Sequence, residues 1–361
     1  MKKAYEQLFE PFTFKSGVSI QNRLLMAPMT TNSSLKNGML TTDEILYYAR
    51  RSGDVGAVIT ACAHIRDDGK FAASPSISSD LTIESLSILA KRIQDKGSKA
   101  ILQIFHVGRM GSSKHFNGQQ PVSASAVPPM REGAETPREL TSEEVEQFIN
   151  EFAEATRRAI HAGFDGVEIH CANGYLVNQF ISAHSNHRED EYGGSLNNRL
   201  RFLREIVQAV AEVVGADRLG VRFAPLFEST EEDRVYMGLV EDDPHVTYIE
   251  AIKILEEVGI AYLSIAEADW DNAPELPHDF RRDVRDTFSG RIIYAGRYTA
   301  ERGTRILEAG LADLIAFGRP FIANPDLPDR IANGWPLNAV DASSMYGGTE
   351  KGYIDYPAYA D

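Results

Sequence analysis

The chain contains little cysteine. Its 361 residues include only two, Cys62 and Cys171. Two cysteines are too few for a disulfide framework, a four-cysteine zinc site or a four-cysteine iron–sulfur cluster. The histidines are scattered along the chain, and none shows the spacing of a metal ligand set. We therefore expect no metal site.

Runs of basic residues and long apolar runs are also missing. Acidic side chains outnumber basic ones by 52 to 37, which gives a formal charge of −15. A field of that sign repels nucleic acids and anionic membranes, so neither is an expected partner. No stretch approaches the eighteen apolar residues that a membrane span needs. The N-terminal residues have no apolar segment, so we expect no secretion signal and a cytoplasmic location.

The chain does contain a repeating alternation of short apolar runs and helical segments. The apolar runs are nearly continuous in Val, Ile and Leu, which is typical of parallel strands covered on both faces. The predicted strands are 23–28, 56–63, 100–105, 166–170, 220–224, 262–266, 292–296 and 314–318.

The helical segments between these strands have clear start and stop signals. A capping-box pattern at Thr141 begins a helix that runs to His161, and Asp243-Pro244 begins one that closes near Gly259. Further helices are predicted at 42–51, 196–214 and 299–310. Eight strands alternating with helices predict an α/β fold, a (β/α)8 TIM barrel that forms one domain over residues 1–361. An open doubly wound sheet is the alternative, but no Gly-x-Gly-x-x-Gly follows an early strand.

Three long aperiodic stretches, 109–137, 226–244 and 268–278, follow predicted strands. In a barrel they would lie over the C-terminal mouth, where active sites are built. His170, Asn173 and Tyr175 follow the fourth strand and would bring hydrogen-bond donors and a phenol to that mouth. A purely structural histidine at a strand end is the alternative.

Two further strands, the seventh and eighth, each end in Gly-Arg. These pairs are Gly296-Arg297 and Gly318-Arg319. Barrels commonly bind phosphate in these two loops, where glycine allows close backbone approach and arginine adds a forked donor. The pairs therefore predict a phosphate site.

Polar residues interrupt or follow other strands. Gln103 and Arg222 lie within apolar runs, and Thr30 follows the first strand. A buried arginine without a partner is costly. Arg222 is therefore expected either to pair with a core carboxylate or to face a polar or anionic ligand at the barrel axis.

These residues and their neighbours resemble the Old Yellow Enzyme family of FMN-containing NAD(P)H oxidoreductases over almost the whole chain. The resemblance rests on several ordered segments. They are NRLLMAPMT at 22–30, QIFHVGR at 103–109, IHCANGYLVNQF at 169–180, DEYGGS at 190–195, AFGRPFIANPD at 316–326 and GYIDYP at 352–357.

The resemblance implies FMN as cofactor, NAD(P)H and a small electron acceptor as partners, and a role for each matching residue. Pro28, Met29, Thr30, Cys62, Gln103 and Arg222 would contact the flavin ring, with Thr30 at O4 and Arg222 near N1 and O2. Gly296, Arg297, Gly318 and Arg319 would hold the phosphate. His170 and Asn173 would bind the substrate oxygen, Tyr175 would donate a proton, and Tyr346 would line the pocket, with the C-terminal tail closing over the barrel.

The residues also fit that chemistry physically. When hydride reaches the β-carbon of an activated alkene, the substrate's oxygen gains charge, and one fixed donor can contribute roughly 3–4 kcal/mol to its stabilisation. A phenol with an ordinary pKa of about 10 remains protonated at neutral pH and can supply the proton.

The chain departs from the family pattern at Cys62, where the family usually has Gly or Ala. Thr30 and the His170/Asn173 pair set it apart from the subgroups with Cys or with a second histidine at the matching positions. His106 and Arg109 could pack a loop or assist the flavin.

Two other functions remain possible on the sequence alone. One is a flavin-free barrel lyase or aldolase acting on a phosphorylated substrate, although no predicted strand ends in lysine. The other is an FMN-binding electron carrier. An even-numbered homo-oligomer is the expected quaternary state.

Overall fold

Eight parallel strands form a closed barrel in the computed structural model, which describes residues 3–227, 241–267 and 275–359. The strands are β1 Leu24–Met26, β2 Ala57–Ile59, β3 Lys99–Phe105, β4 Gly166–His170, β5 Leu219–Phe223, β6 Tyr262–Ala266, β7 Arg291–Ala295 and β8 Leu314–Phe317. Each strand pairs in parallel with the next, and β8 pairs with β1 to close the ring. The predicted (β/α)8 barrel is confirmed.

Helices separate the strands along the chain. They are α1 Thr42–Arg51, α2 Ile83–Gln94, α3 Ser142–His161, α4 Arg201–Val214, α5 Pro244–Val258, α6 His278–Thr287, α7 Ala300–Glu308 and α8 Leu327–Asn333. Short helices at Leu176–Ile181, Leu196–Arg199 and Arg319–Ala323 lie in the loops. The predicted capping box is present, because the Thr141 hydroxyl accepts from the Glu144 amide and the Glu144 carboxylate accepts from the Thr141 amide.

Two predicted elements are interrupted. The helix predicted at 196–214 is divided at Leu200, although the hydrogen bonds from Leu200 N to Leu196 O and from Arg204 N to Leu200 O continue the helical pattern. The second predicted strand stops after Ile59 and resumes as a short strand at Ala63–His64. Between these two pieces, the Ala61 amide donates to the Tyr48 hydroxyl at 2.7 Å and so leaves the strand ladder.

The barrel interior is apolar at the N-terminal end and polar at the other. A hairpin of Phe12–Thr13 and Ser19–Ile20 packs Phe12 and Ile20 against inward residues of the strands. These inward residues are Leu25, Ala27, Ala57, Ile59, Tyr262, Ile293, Ala295, Leu314 and Ala316. Toward the C-terminal ends, the buried residues include Gln103, Glu168, His170 and Arg222. The fold therefore concentrates its buried polar groups at the mouth.

The first aperiodic stretch, 109–137, contains short turns and the strand Val122–Ser123, which pairs with Arg138–Glu139. Most of the predicted loops at 226–244 and 268–278 lies outside the described residues. Within the described part of the chain, no helix combines the length and apolarity that crossing a membrane requires.

Candidate active site

A cavity of about 830 Å³ lies at the C-terminal mouth of the barrel. Its volume is in the range of small-molecule and cofactor sites. All fourteen residues to which the family resemblance assigned a role line it: Pro28, Met29, Thr30, Cys62, Gln103, His170, Asn173, Tyr175, Arg222, Gly296, Arg297, Gly318, Arg319 and Tyr346. The fold thus brings eight distant segments of the chain to one opening.

His170 is buried at the end of β4 and is held in one tautomer. The Ala172 amide donates to its Nδ1 at 3.3 Å, so the ring proton of the neutral imidazole lies on Nε2. Burial, and then the charge of Arg222, lower the pKa of His170 well below its ordinary value of 6.5. The ring is therefore a neutral hydrogen-bond donor at physiological pH.

Asn173 and Tyr175 reach the same opening through a tight turn. Asn173 and Gly174 have positive φ values of 57° and 76°, a conformation that asparagine and glycine tolerate best. The turn is fixed because the Gly174 amide donates to Asn178 Oδ1 and its carbonyl accepts from Gln179 Nε2 at 2.5 Å. The Tyr175 ring then stands edge-on to the His170 ring, with 4.8 Å between centroids.

An aromatic wall that the sequence analysis missed completes this side of the cavity. Phe71 contacts the Tyr175 ring at 5.7 Å and the Phe105 ring at 5.4 Å. Phe105 in turn contacts Tyr175 at 5.4 Å. Such edge contacts restrict the Tyr175 ring. Phe71 lies in a loop with no strand or helix pattern, so the sequence carried no signal for its role.

A polar layer from neighbouring strands forms the floor. Gln103 on β3 and Glu168 on β4 are register partners, and Gln103 Nε2 donates to Glu168 Oε1 at 2.7 Å. Arg222 on β5 is only 3% exposed, and its Nη1 has no hydrogen-bond partner among the described residues. A buried guanidinium with an unsatisfied donor fits a site built to receive a polar ligand.

Cys62 also lines the floor. Burial raises the pKa of its thiol to about 12, so it remains a neutral thiol at physiological pH. Cys62 packs with Phe105 and Val107 in a small apolar cluster. The structure therefore supports a packing role for Cys62 beside its place in the cavity lining.

The loop after β7 requires glycine at position 296. Gly296 has a φ of 96°, and a Cβ there would lie 2.2 Å from the carbonyl oxygen of Glu267. The next residue, Arg297, also has a positive φ, of 26°. Gly318 lies across the cavity in the loop after β8, where a Cβ would meet Met29 Sδ at 3.6 Å. The two Gly-Arg loops therefore form one polar end of the cavity.

A buried ion network that sequence reasoning missed supports this end. The Glu267 carboxylate, 4% exposed, pairs with Arg281 and Arg302 at 2.7 Å each and accepts from the Tyr298 hydroxyl at 2.5 Å. Tyr298 itself lines the cavity. Arg302 also lies 3.6 Å from the exposed Glu275 carboxylate, so the network places two guanidinium groups and two carboxylates behind the loop and fixes its backbone. The partners come from three separate elements, so no local pattern reveals them.

The C-terminal segment forms part of the rim of the cavity. Tyr346, 52% exposed, and Met345 line the cavity. The segment is fixed to the loop after β1, because the Gly347 amide and the Tyr353 hydroxyl both donate to the Thr31 carbonyl, at 2.7 and 2.5 Å.

His106 and Arg109 do not line the cavity. The Gly108 amide donates to His106 Nδ1 at 3.1 Å, and Asp68 Oδ1 lies 3.3 Å from Nε2. Arg109 Nη1 donates to the Val127 carbonyl at 3.2 Å. These contacts support loop packing rather than catalysis. Among the described residues, no cluster of His, Cys, Asp and Glu could hold a metal ion.

Comparisons with known proteins agree with this geometry. The model of the NADH:flavin oxidoreductase / NADH oxidase family matches residues 7–338. The 12-oxophytodienoate reductase 1 of Oryza sativa subsp. japonica is 36% identical over 356 residues, which cover 95% of this chain and 91% of that protein.

Solved structures of related enzymes have the same fold as this chain. A structure of morphinone reductase in complex with tetrahydroNAD has a TM-score of 0.89 and 37% identity, with 97% of each chain covered. The old yellow enzyme from Trypanosoma cruzi has a TM-score of 0.91 and 30% identity, with 98% of this chain and 99% of that chain covered. The chain therefore belongs to the NADH:flavin oxidoreductase / NADH oxidase family, the Old Yellow Enzymes, and is an FMN-dependent oxidoreductase that uses NAD(P)H.

Proposed function

We propose that this enzyme passes hydride from NAD(P)H, by way of FMN held at the barrel mouth, to an electron-poor alkene such as an enone. The observation that carries the proposal is the convergence of a neutral His170, Asn173 and Tyr175 above the floor that Arg222 forms. The relatives are named as reductases of 12-oxophytodienoate and of morphinone, which is consistent with this substrate class.

The proposed flavin site uses both ends of the cavity. Pro28, Met29, Thr30, Cys62, Gln103 and Arg222 contact the ring system, and Gly296, Arg297, Gly318 and Arg319 bind the phosphate. The unsatisfied Nη1 of Arg222 and the close approach of the Gly296 backbone to Glu267 support this assignment. Bound FMN supplies a carrier that accepts hydride from the nicotinamide and releases it to the substrate.

His170 and Asn173 are proposed to hold the substrate's carbonyl or nitro oxygen. The Nε2–H of the neutral His170 donates one hydrogen bond, and the Asn173 amide donates the other. Because the strand end and the turn that carry the two residues are fixed before substrate arrives, they stabilise the charge that develops on that oxygen at little reorganisation cost.

Tyr175 is proposed to give its phenolic proton to the α-carbon. The contacts with His170, Phe71 and Phe105 restrict the ring to one orientation, which general acid catalysis requires. Tyr346 is proposed to line the substrate pocket from the C-terminal side, where it is half exposed.

The flavin-free aldolase alternative loses its support, because the family to which the chain belongs binds FMN. The electron-carrier alternative provides no role for the arrangement of His170, Asn173 and Tyr175. We further propose that residues 1–361 act as a single FMN-binding unit in the cytoplasm, where its two free, buried cysteines would remain reduced. A homo-oligomer stays a prediction.

Rapid mixing of the purified yellow enzyme tests the function. We expect NADH or NADPH to bleach the flavin absorbance under anaerobic conditions, and we expect a simple enone such as cyclohexenone to restore it. A nitroalkene and a saturated ketone are tested as oxidants in the same way. Reoxidation by the nitroalkene but not by the saturated ketone shows that the enzyme requires an activated alkene rather than a carbonyl group. Reoxidation by dioxygen but by no activated alkene would contradict the proposal.

Gly296→Ala tests the phosphate loop. Because the added Cβ would meet the Glu267 carbonyl at 2.2 Å, the loop must move, and we expect the variant to be purified with little FMN and to bind it at least about tenfold more weakly. Gly310→Ala is the matched control. Its φ of 69° is also positive, but nothing lies within 4 Å of the added Cβ. Equal FMN affinity in the two variants would contradict a phosphate site at Gly296.

A further inference from the structure

A carboxyl group lies inside the barrel beneath the candidate active site. Glu168 is fully buried on β4, two residues before His170, so its side chain points to the same face of the strand. Its register partners are Gln103 on β3 and Gly220 on β5. Glu168 therefore lies one layer below the residues that face the cavity.

Its neighbours are arranged around it. Gln103 Nε2 donates to Glu168 Oε1 at 2.7 Å, which directs the amide oxygen of Gln103 away from the carboxylate. Gly220 leaves space that the Tyr262 ring occupies, since a Cβ at Gly220 would lie 2.1 Å from Tyr262 Cζ. Burial, and then the charge of Glu168, raise the pKa of Tyr262 well above its ordinary value.

This cluster contains a buried donor that lacks a partner. Arg222 Nη1 has no hydrogen-bond partner among the described residues, whereas the Tyr262 hydroxyl lies against the Glu168 carboxyl group. Burial raises the pKa of Glu168 above its ordinary value, and the charge of Arg222 together with hydrogen bonds from Gln103 and Tyr262 offsets only part of that rise. An isolated carboxylate at this depth would be costly, so Glu168 needs the nearby charge of Arg222 to remain ionised.

We propose that Glu168 is a positioning residue that orients Gln103 and partly offsets the positive charge of Arg222, and so holds the reduction potential of the bound flavin below the value that Arg222 alone would give. The inference rests on the proposed function, in which Gln103 and Arg222 contact the flavin. Hydride adds two electrons and one proton, so the flavin gains one negative charge on reduction. Arg222 stabilises that charge, and Glu168 opposes it.

Glu168→Gln tests the proposal, because glutamine keeps the size of the side chain and an acceptor for Gln103 while removing the charge. The two-electron potential of the FMN-loaded enzyme is measured against a reference dye, with light and a sacrificial donor as the source of electrons. We expect the equilibrium to shift at least about tenfold toward the reduced flavin, which corresponds to about 30 mV. A shift smaller than about twofold, or one toward the oxidised flavin, would overturn the proposal.

Two further variants distinguish an effect of the Glu168 charge on the flavin potential from an effect of altered packing. Ser264→Ala removes a buried neutral hydroxyl from the register partner of Arg222, and we expect it to leave the potential unchanged. Glu168→Asp retains the charge, and we expect a potential close to that of the unaltered enzyme. An aspartate variant that shifts as far as the glutamine variant would assign the effect to packing and overturn the proposal.

Infrared difference spectroscopy provides a second measurement if Glu168→Gln does not retain FMN. The spectra are recorded on the unaltered enzyme with ¹³C-labelled glutamate before and after photoreduction. A carboxylate band that shifts on reduction supports a charged Glu168, whereas a protonated carboxyl band in the oxidised state overturns the proposal. Neither measurement uses a nicotinamide or an alkene. A lack of enone turnover would therefore contradict the proposed function while the potential remained measurable.

Discussion

Replacement of Tyr175 by phenylalanine is expected to slow reoxidation of the reduced flavin by an enone by about 10²–10⁴-fold, the usual contribution of a positioned general acid. The hydroxyl is lost, but the ring that packs against His170, Phe71 and Phe105 is retained. Because nicotinamide oxidation needs no proton from Tyr175, flavin reduction is expected to remain nearly unchanged. Anaerobic stopped-flow absorbance of each half-reaction measures the two effects separately.

Tyr192→Phe is the control for this experiment. Its hydroxyl donates to Glu205 at 2.8 Å and lies outside the cavity, so we expect both half-reactions to keep their rates. Equal slowing of both half-reactions by Tyr175→Phe would remove the residue from the proton-donor role and indicate a disturbed site.

The loss of His170 or of Asn173 is expected to cause the second large decrease in the rate of enone reduction. We expect His170→Ala and Asn173→Ala each to lower the rate of enone reduction by about 10²–10³-fold, since each removes one of two fixed donors to the developing oxyanion. Both variants are also expected to bind a phenol such as 4-hydroxybenzaldehyde more weakly. Titration of the flavin absorbance with the phenol gives the dissociation constants.

His115→Ala changes an exposed histidine outside the cavity and serves as the control. Because the pKa of His170 is held well below 6.5, we also expect the rate of enone reduction to show no inflection near pH 6.5 that depends on His170. Unchanged phenol affinity in both variants would contradict oxyanion binding, and an inflection that disappears in His170→Ala would contradict a neutral imidazole.

Local signals in the sequence were sufficient for most of the barrel. The predicted strand at 262–266 has the same bounds as β6, and the capping signals at Thr141 and Asp243 begin α3 and α5 as expected. The break at Ala61 escaped prediction because its cause is the hydroxyl of Tyr48, thirteen residues earlier in the chain. Contacts between separate elements leave no periodicity in either segment.

The residues of the candidate site also fall into those that local sequence signals reveal and those that they do not. His170, Asn173 and Tyr175 could be found because they occupy a strand end and a turn within six residues. Phe71 could not be found, since its contacts join its loop to the end of β3 at Phe105 and to the turn at Tyr175, both far away in sequence.

The sequence alone determined the alternation of buried strands with capped helices, and with it the closed ring and the edge at which the polar residues meet. Such patterns are local, because strand burial, helix caps and turn glycines depend on residues a few positions apart. Which charges face one another depends on how the strands and loops pack together. The neutral state of His170, the carboxylate of Glu168 near Arg222 and the two arginines on Glu267 all depend on burial and distance across the barrel, which no linear pattern encodes.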